Sequence, residues 1–201
     1  MQYTISALVA NKSGVLMRVS SLFSRRAYNI ESLSVAKTEE EALSRMTIVL
    51  NGDEYVLDQM MKQMDKLVDV KKIICIGEHE AIARELLLVK LNAPAEKRAE
   101  IYQICEIFRA KVDDLYPTSM VVELTGESSK LDGFINMVKD YGILEMARTG
   151  VTAITRGNTC IKDMVDYNEK FCDADEQSES DTCAQTGKRK IPLFIRKRGE
   201  E

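Results

Sequence analysis

The apolar residues of this chain change their period in the same order twice, and that order constrains the fold more than any other feature. Tyr3, Ile5, Ala7 and Val9 alternate, as one face of a strand does. After Ser13-Gly14 the spacing becomes three and four: Leu16, Val19, Leu22, Phe23 and Ala27 make one buried face of a helix, with Arg18, Arg25 and Arg26 pointing elsewhere. Residues 30–37 and 44–50 read as strands on either side of a polar turn at 38–41. Asn51-Gly52 ends the third strand, and Asp53 can cap a helix that carries Val56, Leu57, Met60, Met61, Met64 and Leu67. Residues 68–76 form a fourth strand, stopped by Gly77. The order is βαββαβ, the split-βαβ or ferredoxin-like pattern.

The pattern then repeats without an evident residue-level repeat. Residues 78–84 are polar and read as a linker or one helical turn. Residues 86–91 form a strand, and 96–109 a helix with Ile101, Ile104, Cys105 and Phe108 on its apolar face. Strands at 111–115 and 120–125 are joined across Tyr116-Pro117. Ser129 and Asp132 resemble a capping box for a helix with Leu131, Phe134, Ile135 and Val138. Gly142 closes that helix, and 144–155 holds the last strand. The expected class is α+β: two tandem ferredoxin-like domains, 1–77 and 84–157, followed by a tail, 158–201. In the tail Glu169, Asp173, Asp175, Glu176, Glu179 and Asp181 precede Lys188-Arg189-Lys190 and Arg196-Lys197-Arg198. So much like charge with so little apolar content predicts a mobile segment.

Composition removes several function classes. A net charge of -4 does not suit a general nucleic-acid binder. No apolar run reaches the ~20 residues that a spanning helix needs. The first residues, Met1 to Ile5, show neither a basic region nor a long apolar stretch, so no signal peptide is expected. Five cysteines at 75, 105, 160, 172 and 183 form no Cys-x-x-Cys pair, which fits a reducing, cytoplasmic setting. Cys75 and Cys105 fall in apolar periodic segments and read as buried thiols. The sole histidine, His79, lies between Glu78 and Glu80 and reads as a surface imidazole rather than a general base. Gly-rich phosphate loops, nucleophile elbows and zinc spacings are absent. No catalytic residue and no metal site is expected.

The informative stretch is 11–16, Asn-Lys-Ser-Gly-Val-Leu, between the first strand and the first helix. A helix N-terminus offers free N–H groups and partial positive charge to a carboxylate. Gly14 lets a small ligand approach the backbone. Asn11 and Asn29 can offer amide oxygens to an ammonium and amide nitrogens to a carboxylate. Val15, Leu16, Ile30 and Val35 can wall an apolar pocket. These groups suit a zwitterion with a small aliphatic side chain; an ordinary Ser13 N-cap followed by a turn glycine fits the same residues.

Longer motifs carry a resemblance. Asn11-x-Ser13-Gly14-x-Leu16-x-Arg18-Val19, then Leu22-Phe23-Ser24-x-Arg26-x-Tyr28-Asn29-Ile30-Glu31-Ser32-Leu33, then Leu43-Ser44-Arg45-Met46-Thr47-Ile48 and Lys66-Leu67-Val68-Asp69-Val70, resemble the acetolactate synthase small-subunit family of ACT-domain proteins. In the second half, Arg84-Glu85-Leu86-x-Leu88-Val89-Lys90, Glu106-Ile107-Phe108-Arg109-Ala110, Lys130-Leu131-Asp132 and Arg148-Thr149-Gly150-Val151 do so too. The resemblance covers residues 2–157, and the tail departs from it. It implies a regulatory chain without catalysis of its own, whose ACT domains pair side by side into an eight-stranded sheet with helices on one side. It implies an effector site at that pairing, with Asn11 and the backbone of Gly14, Val15 and Leu16 from one chain and Asn29 and Ile30 from its mate. It implies a catalytic large subunit as partner, holding thiamine diphosphate, FAD and magnesium. This chain would activate that subunit and let valine, or another branched-chain amino acid, inhibit it.

Two other classes share the element order. One is a different amino-acid-sensing ACT regulator, transcriptional or signalling. The other is an RNA-recognition domain, which wants exposed aromatics on its central strands. Residues 46–50 have none.

Overall fold

A computed structural model describes residues 1–77, 81–158 and 160–163. His79, Cys172, Cys183 and both charged blocks of the tail lie outside these residues. The described chain falls into two compact units: Met1–Ile82 together with the described residues from Ala153 onward, and Ala83–Thr152. Among the described residues, no helix is long and apolar enough to cross a membrane.

In the first unit the strands are β1 (Gln2–Ala10), β2 (Ile30–Lys37), β3 (Leu43–Asn51) and β4 (Val70–Ile76), with helices α1 (Val15–Arg25) and α2 (Glu54–Asp65). They form an antiparallel sheet in the order β2-β3-β1-β4, so β2 and β4 are its edges. Ile5, Ala7 and Val9 of β1 and Met46, Ile48 and Leu50 of β3 share one face. They are buried against Val15, Val19 and Phe23 of α1 and Leu57, Met60, Met61 and Met64 of α2. The expected alternation and helical spacing therefore meet in one core. The other face carries Ser6, Leu8, Thr47, Val49 and Ile74, also buried. The 3-10 turn Ile161–Asp163 returns to this unit beside β4, with Ile161 buried.

The second unit repeats the arrangement. Its elements are most of β5 (Ala81–Asn92), α3 (Arg98–Phe108), β6 (Lys111–Leu115), β7 (Ser119–Gly126), α4 (Ser128–Val138) and β8 (Ile143–Arg148), while β9 (Thr152–Thr155) falls largely with the first unit. The sheet order is β6-β7-β5-β8, and β9 pairs with β5. Leu87, Val89 and Leu91 of β5 pack with Ile101, Cys105, Leu131, Phe134 and Val138. Phe108 meets Phe134 edge-on, with centroids 5.5 Å apart.

Several local expectations shift. Residues 81–84 are not a linker: they open β5, with Ala81 buried and Arg84 exposed in strand alternation. β4 begins at Val70, because Val68 is exposed in the preceding turn. The expected last strand is two strands, split at 149–151. The capping box at Ser129 and Asp132 does not form. Glu127 precedes α4 without a side-chain cap, and Asp132 instead accepts from Arg148 Nη1 at 2.8 Å. Arg148 Nε and the Ser128 hydroxyl both donate to Glu85, whose side chain is 4% exposed. Leu86 and Thr149 are tied twice, amide to hydroxyl and amide to carbonyl, each at 3.1 Å. Three of the motifs that carry the resemblance in the second half, those holding Glu85, Asp132 and Arg148, thus converge on one ion network that joins β5, α4 and β8.

Candidate functional site

β1 ends with Ala10 opposite Leu43, so the chain leaves the sheet beside the β2–β3 turn. Asn11 is fastened to that turn twice: its amide N–H donates to the Ala42 carbonyl and its Nδ2 to the Glu41 carbonyl, both at 2.8 Å. The turn is itself closed. Leu43 N–H donates to the Glu40 carbonyl (2.9 Å), Thr38 N–H to the Leu43 carbonyl (3.1 Å), and Glu40 N–H to the Thr38 hydroxyl (3.2 Å). With Nδ2 engaged, Asn11 keeps its side-chain oxygen as an acceptor for an ammonium group.

The next residues form the start of α1. Gly14, not Ser13, is the N-cap, at φ 83° and ψ -9°, a left-handed conformation that favours glycine. No side chain caps α1 and no acid stands in its first turn. α2 differs, since Asp53 accepts the Val56 N–H there at 2.8 Å. The Val15 N–H reaches the Lys12 carbonyl only at 3.5 Å, so the α1 terminus keeps its dipole and weakly engaged N–H groups for an incoming anion. Arg18 lies beside it: a Cβ on Gly14 would stand 3.3 Å from Arg18 Nη1. Arg18 Nε and Nη2 each reach Asp69 Oδ2 at 2.7 Å. The Asp69 carbonyl accepts the Ala10 N–H at 2.8 Å, so this pair braces the turn against the start of β4. Sequence reading placed Arg18 only off the apolar face. Its position one turn from Gly14 was the available signal.

The walls are not all where they were expected. The Val15 side chain is 3% exposed and belongs to the core, because the buried face of α1 runs through Val15, Val19 and Phe23. Val15 offers a ligand its backbone only. Leu16 and Val35 are 46% and 41% exposed and are free to line a pocket.

Asn29 and Ile30 stand at the other end of the sheet. Ile30 pairs with Leu50, which pairs with Tyr3 at the start of β1. Asn29 Nδ2 donates to Glu31 Oε1 at 3.0 Å. The strand between Leu43 and Leu50 spans about 23 Å at about 3.3 Å per residue. One chain thus brings Asn11, Gly14, Val15 and Leu16 together and holds Asn29 and Ile30 well apart from them.

The described residues hold no group of three or more His, Cys, Asp or Glu arranged for a metal ion. Burial pushes the Cys75 thiol up to about 11, and likewise the Cys105 thiol to about 11, away from nucleophilic chemistry at neutral pH.

Comparison with known proteins places both halves of the chain in one family. Residues 5–72, which include all six candidate positions, match the model described as AHAS small subunit-like ACT domain. Residues 84–157 match the model for the small subunit of acetolactate synthase. A probable acetolactate synthase small subunit of Archaeoglobus fulgidus is 49% identical over 158 residues, covering 79% of this chain and 99% of that protein. The acetolactate synthase isozyme 3 small subunit of Escherichia coli is 45% identical over 163 residues, covering 81% and 100%. The crystal structure of the acetolactate synthase small subunit from Thermotoga maritima superposes with a TM-score of 0.75 at 38% identity, over 79% of this chain and 99% of that one. On the match of both halves, over nearly the full length of these relatives, the chain belongs to the acetolactate synthase small-subunit family.

Proposed function

We propose that this chain is the regulatory subunit of acetolactate synthase: it activates the catalytic large subunit and confers feedback inhibition by valine or another branched-chain amino acid. The observation that carries the proposal is the division of the candidate site between the two ends of one sheet. Among the described residues β2 stands at the edge of the sheet, and an edge position invites a partner strand. Antiparallel pairing of β2 with the β2 of a second copy sets Ile30 of one chain against the Lys37 end of the other. That end carries the β2–β3 turn to which Asn11 is bonded. The partner's Asn29 and Ile30 then face the uncapped start of α1, and the pairing extends the sheet to eight strands.

In that composite site the effector's carboxylate meets the N–H groups at Gly14–Leu16, its ammonium meets the asparagine oxygens, and its aliphatic side chain lies among Leu16, Ile30 and Val35. Thiamine diphosphate, FAD and magnesium belong to the catalytic partner.

The test has two arms. Calorimetric titration of the isolated protein with valine, leucine and isoleucine should give saturable binding of at least one. Addition of the protein to purified catalytic subunit should raise its activity and make it sensitive to the same amino acid. Absence of both effects with a folded protein overturns the proposal.

A further inference from the structure

We propose that Lys162 is a positioning residue for the effector site: it clamps the C-terminal segment onto the turn that holds Asn11, so that effector affinity depends on that segment. The inference rests on the effector reading above. Lys162 Nζ donates to Glu39 Oε1 at 2.7 Å and also to Glu40. Both glutamates belong to the β2–β3 turn, and the next two residues, Glu41 and Ala42, supply the carbonyls that hold Asn11. One closed turn therefore has the effector residue on one side and the C-terminal cation on the other. The path from Lys162 to Asn11 runs through hydrogen bonds at 2.7–3.2 Å within a single loop.

An exposed lysine usually gains little from such a pair, because ordering two long side chains costs about as much as their attraction returns. Here the segment is already anchored. Ile161 is 2% exposed, and its turn lies against β4. Arg156 Nε donates to the Ala81 carbonyl at 3.0 Å, and Arg45 Nη1 reaches the Ala153 carbonyl at 3.5 Å. Lys162 thus extends from a fixed base, and two carboxylates share one ammonium. On the other side, the Arg18–Asp69 pair ties α1 to the Asp69 backbone that holds Ala10, and neither of these groups bonds the Asn11 amide. The β2–β3 turn is the support that fixes the Asn11 amide, and Lys162 is the cation that fixes the turn.

The experiment uses the full chain. In Lys162→Met, which keeps the aliphatic stem, the Asn11 and Leu43 amides should exchange hydrogen several-fold faster. Valine affinity by calorimetry should fall between about 1.4-fold and fivefold, the range for losing one partly exposed ion pair. Charge reversal, Lys162→Glu with Glu39→Lys and Glu40→Lys, should restore both readouts. Salt at ~1 M, where the Debye length is ~3 Å, should reproduce the Lys162→Met exchange rates in the wild type. Unchanged exchange in Lys162→Met overturns the clamp, as does failure of the reversed triple variant to restore it. If the wild type binds none of the three amino acids, the effector reading fails, and the exchange arm alone decides whether the clamp exists.

Discussion

Substituting Gly14 separates the cost of backbone geometry from the cost of charge. At φ 83° any L side chain is strained, by roughly 1–2 kcal/mol, with aspartate near the low end because its short carboxylate bonds locally. The new Cβ would meet only Arg18 Nη1, at 3.3 Å, the end of a flexible side chain that can move. Gly14→Ala and Gly14→Asp should therefore both fold, with Tm lowered by about 2–4 °C per kcal/mol lost. Their effect on the effector should differ. A carboxylate at position 14 would stand about 5 Å from the ligand's carboxylate. At an effective dielectric of about 20, that repulsion is about 3 kcal/mol. Arg18 offsets part of it but is already shared with Asp69. Roughly tenfold weaker binding than Gly14→Ala is the least that should remain. Calorimetry with valine and parallel thermal unfolding would measure both quantities. A folded Gly14→Asp that binds as Gly14→Ala does would refute an effector carboxylate at the start of α1.

Val35→Glu places a charge on the exposed edge strand at little cost to the fold. It should shift the light-scattering mass at micromolar concentration from at least a dimer to a monomer and abolish effector binding together with pairing. Arg148→Met leaves Glu85 buried with only the Ser128 hydroxyl, so stability from urea unfolding should fall by about 3 kcal/mol; a loss near zero would count against that network as a tie. The Lys162 bond holds the Glu39 carboxyl below the ordinary range. Stability from the clamp is therefore present above the ordinary ~4.3 and is lost as pH falls through the lowered value. Glu40, Lys162 and Arg45 are the other charges there, and an NMR titration should show Glu39 moving up toward the ordinary range in Lys162→Met, with its backbone hydrogen bond and Arg45 still holding part of the shift. The isolated chain should not convert pyruvate to acetolactate even with all three cofactors; turnover by rigorously purified protein would overturn the regulatory reading.

Much of the fold was legible in the sequence because each element keeps its own period. The three-and-four spacing in α2 appears as read, and the alternating Ile5, Ala7 and Val9 of β1 share the helix-facing core, although the other face of β1 is buried as well. The face of α1 was legible only in part. Val15 and Leu16 are adjacent and both aliphatic, and the buried face runs through Val15, Val19 and Phe23, which turns Val15 inward and leaves Leu16 exposed. Ser129 and Asp132 have capping spacing, but α4 already begins at Ser128, whose hydroxyl donates to Glu85, and Asp132 is taken by Arg148, a tertiary effect invisible to local pattern. The candidate site was legible as a set of residue types. Its division between the two ends of β3 was not, because it follows from strand register. Lys162 gave no signal either: its partners lie more than a hundred residues away in sequence.

The cysteines supply a clock that no label need be engineered to obtain. Cys75 lies in the sheet of the first unit and Cys105 in the core of the second, each a free thiol pushed up to about 11. At pH 7 only about one such thiol in ten thousand is ionised, so both should react slowly. Exposed Cys160 should react at once and mark time zero. Buried Cys105 must wait for the second unit to open, while half-buried Cys75 needs only a local movement of the first, so their rates, resolved by mass spectrometry, would report on the two units separately in one unmodified protein. An amino acid that braces only the first unit would slow one clock and leave the other running.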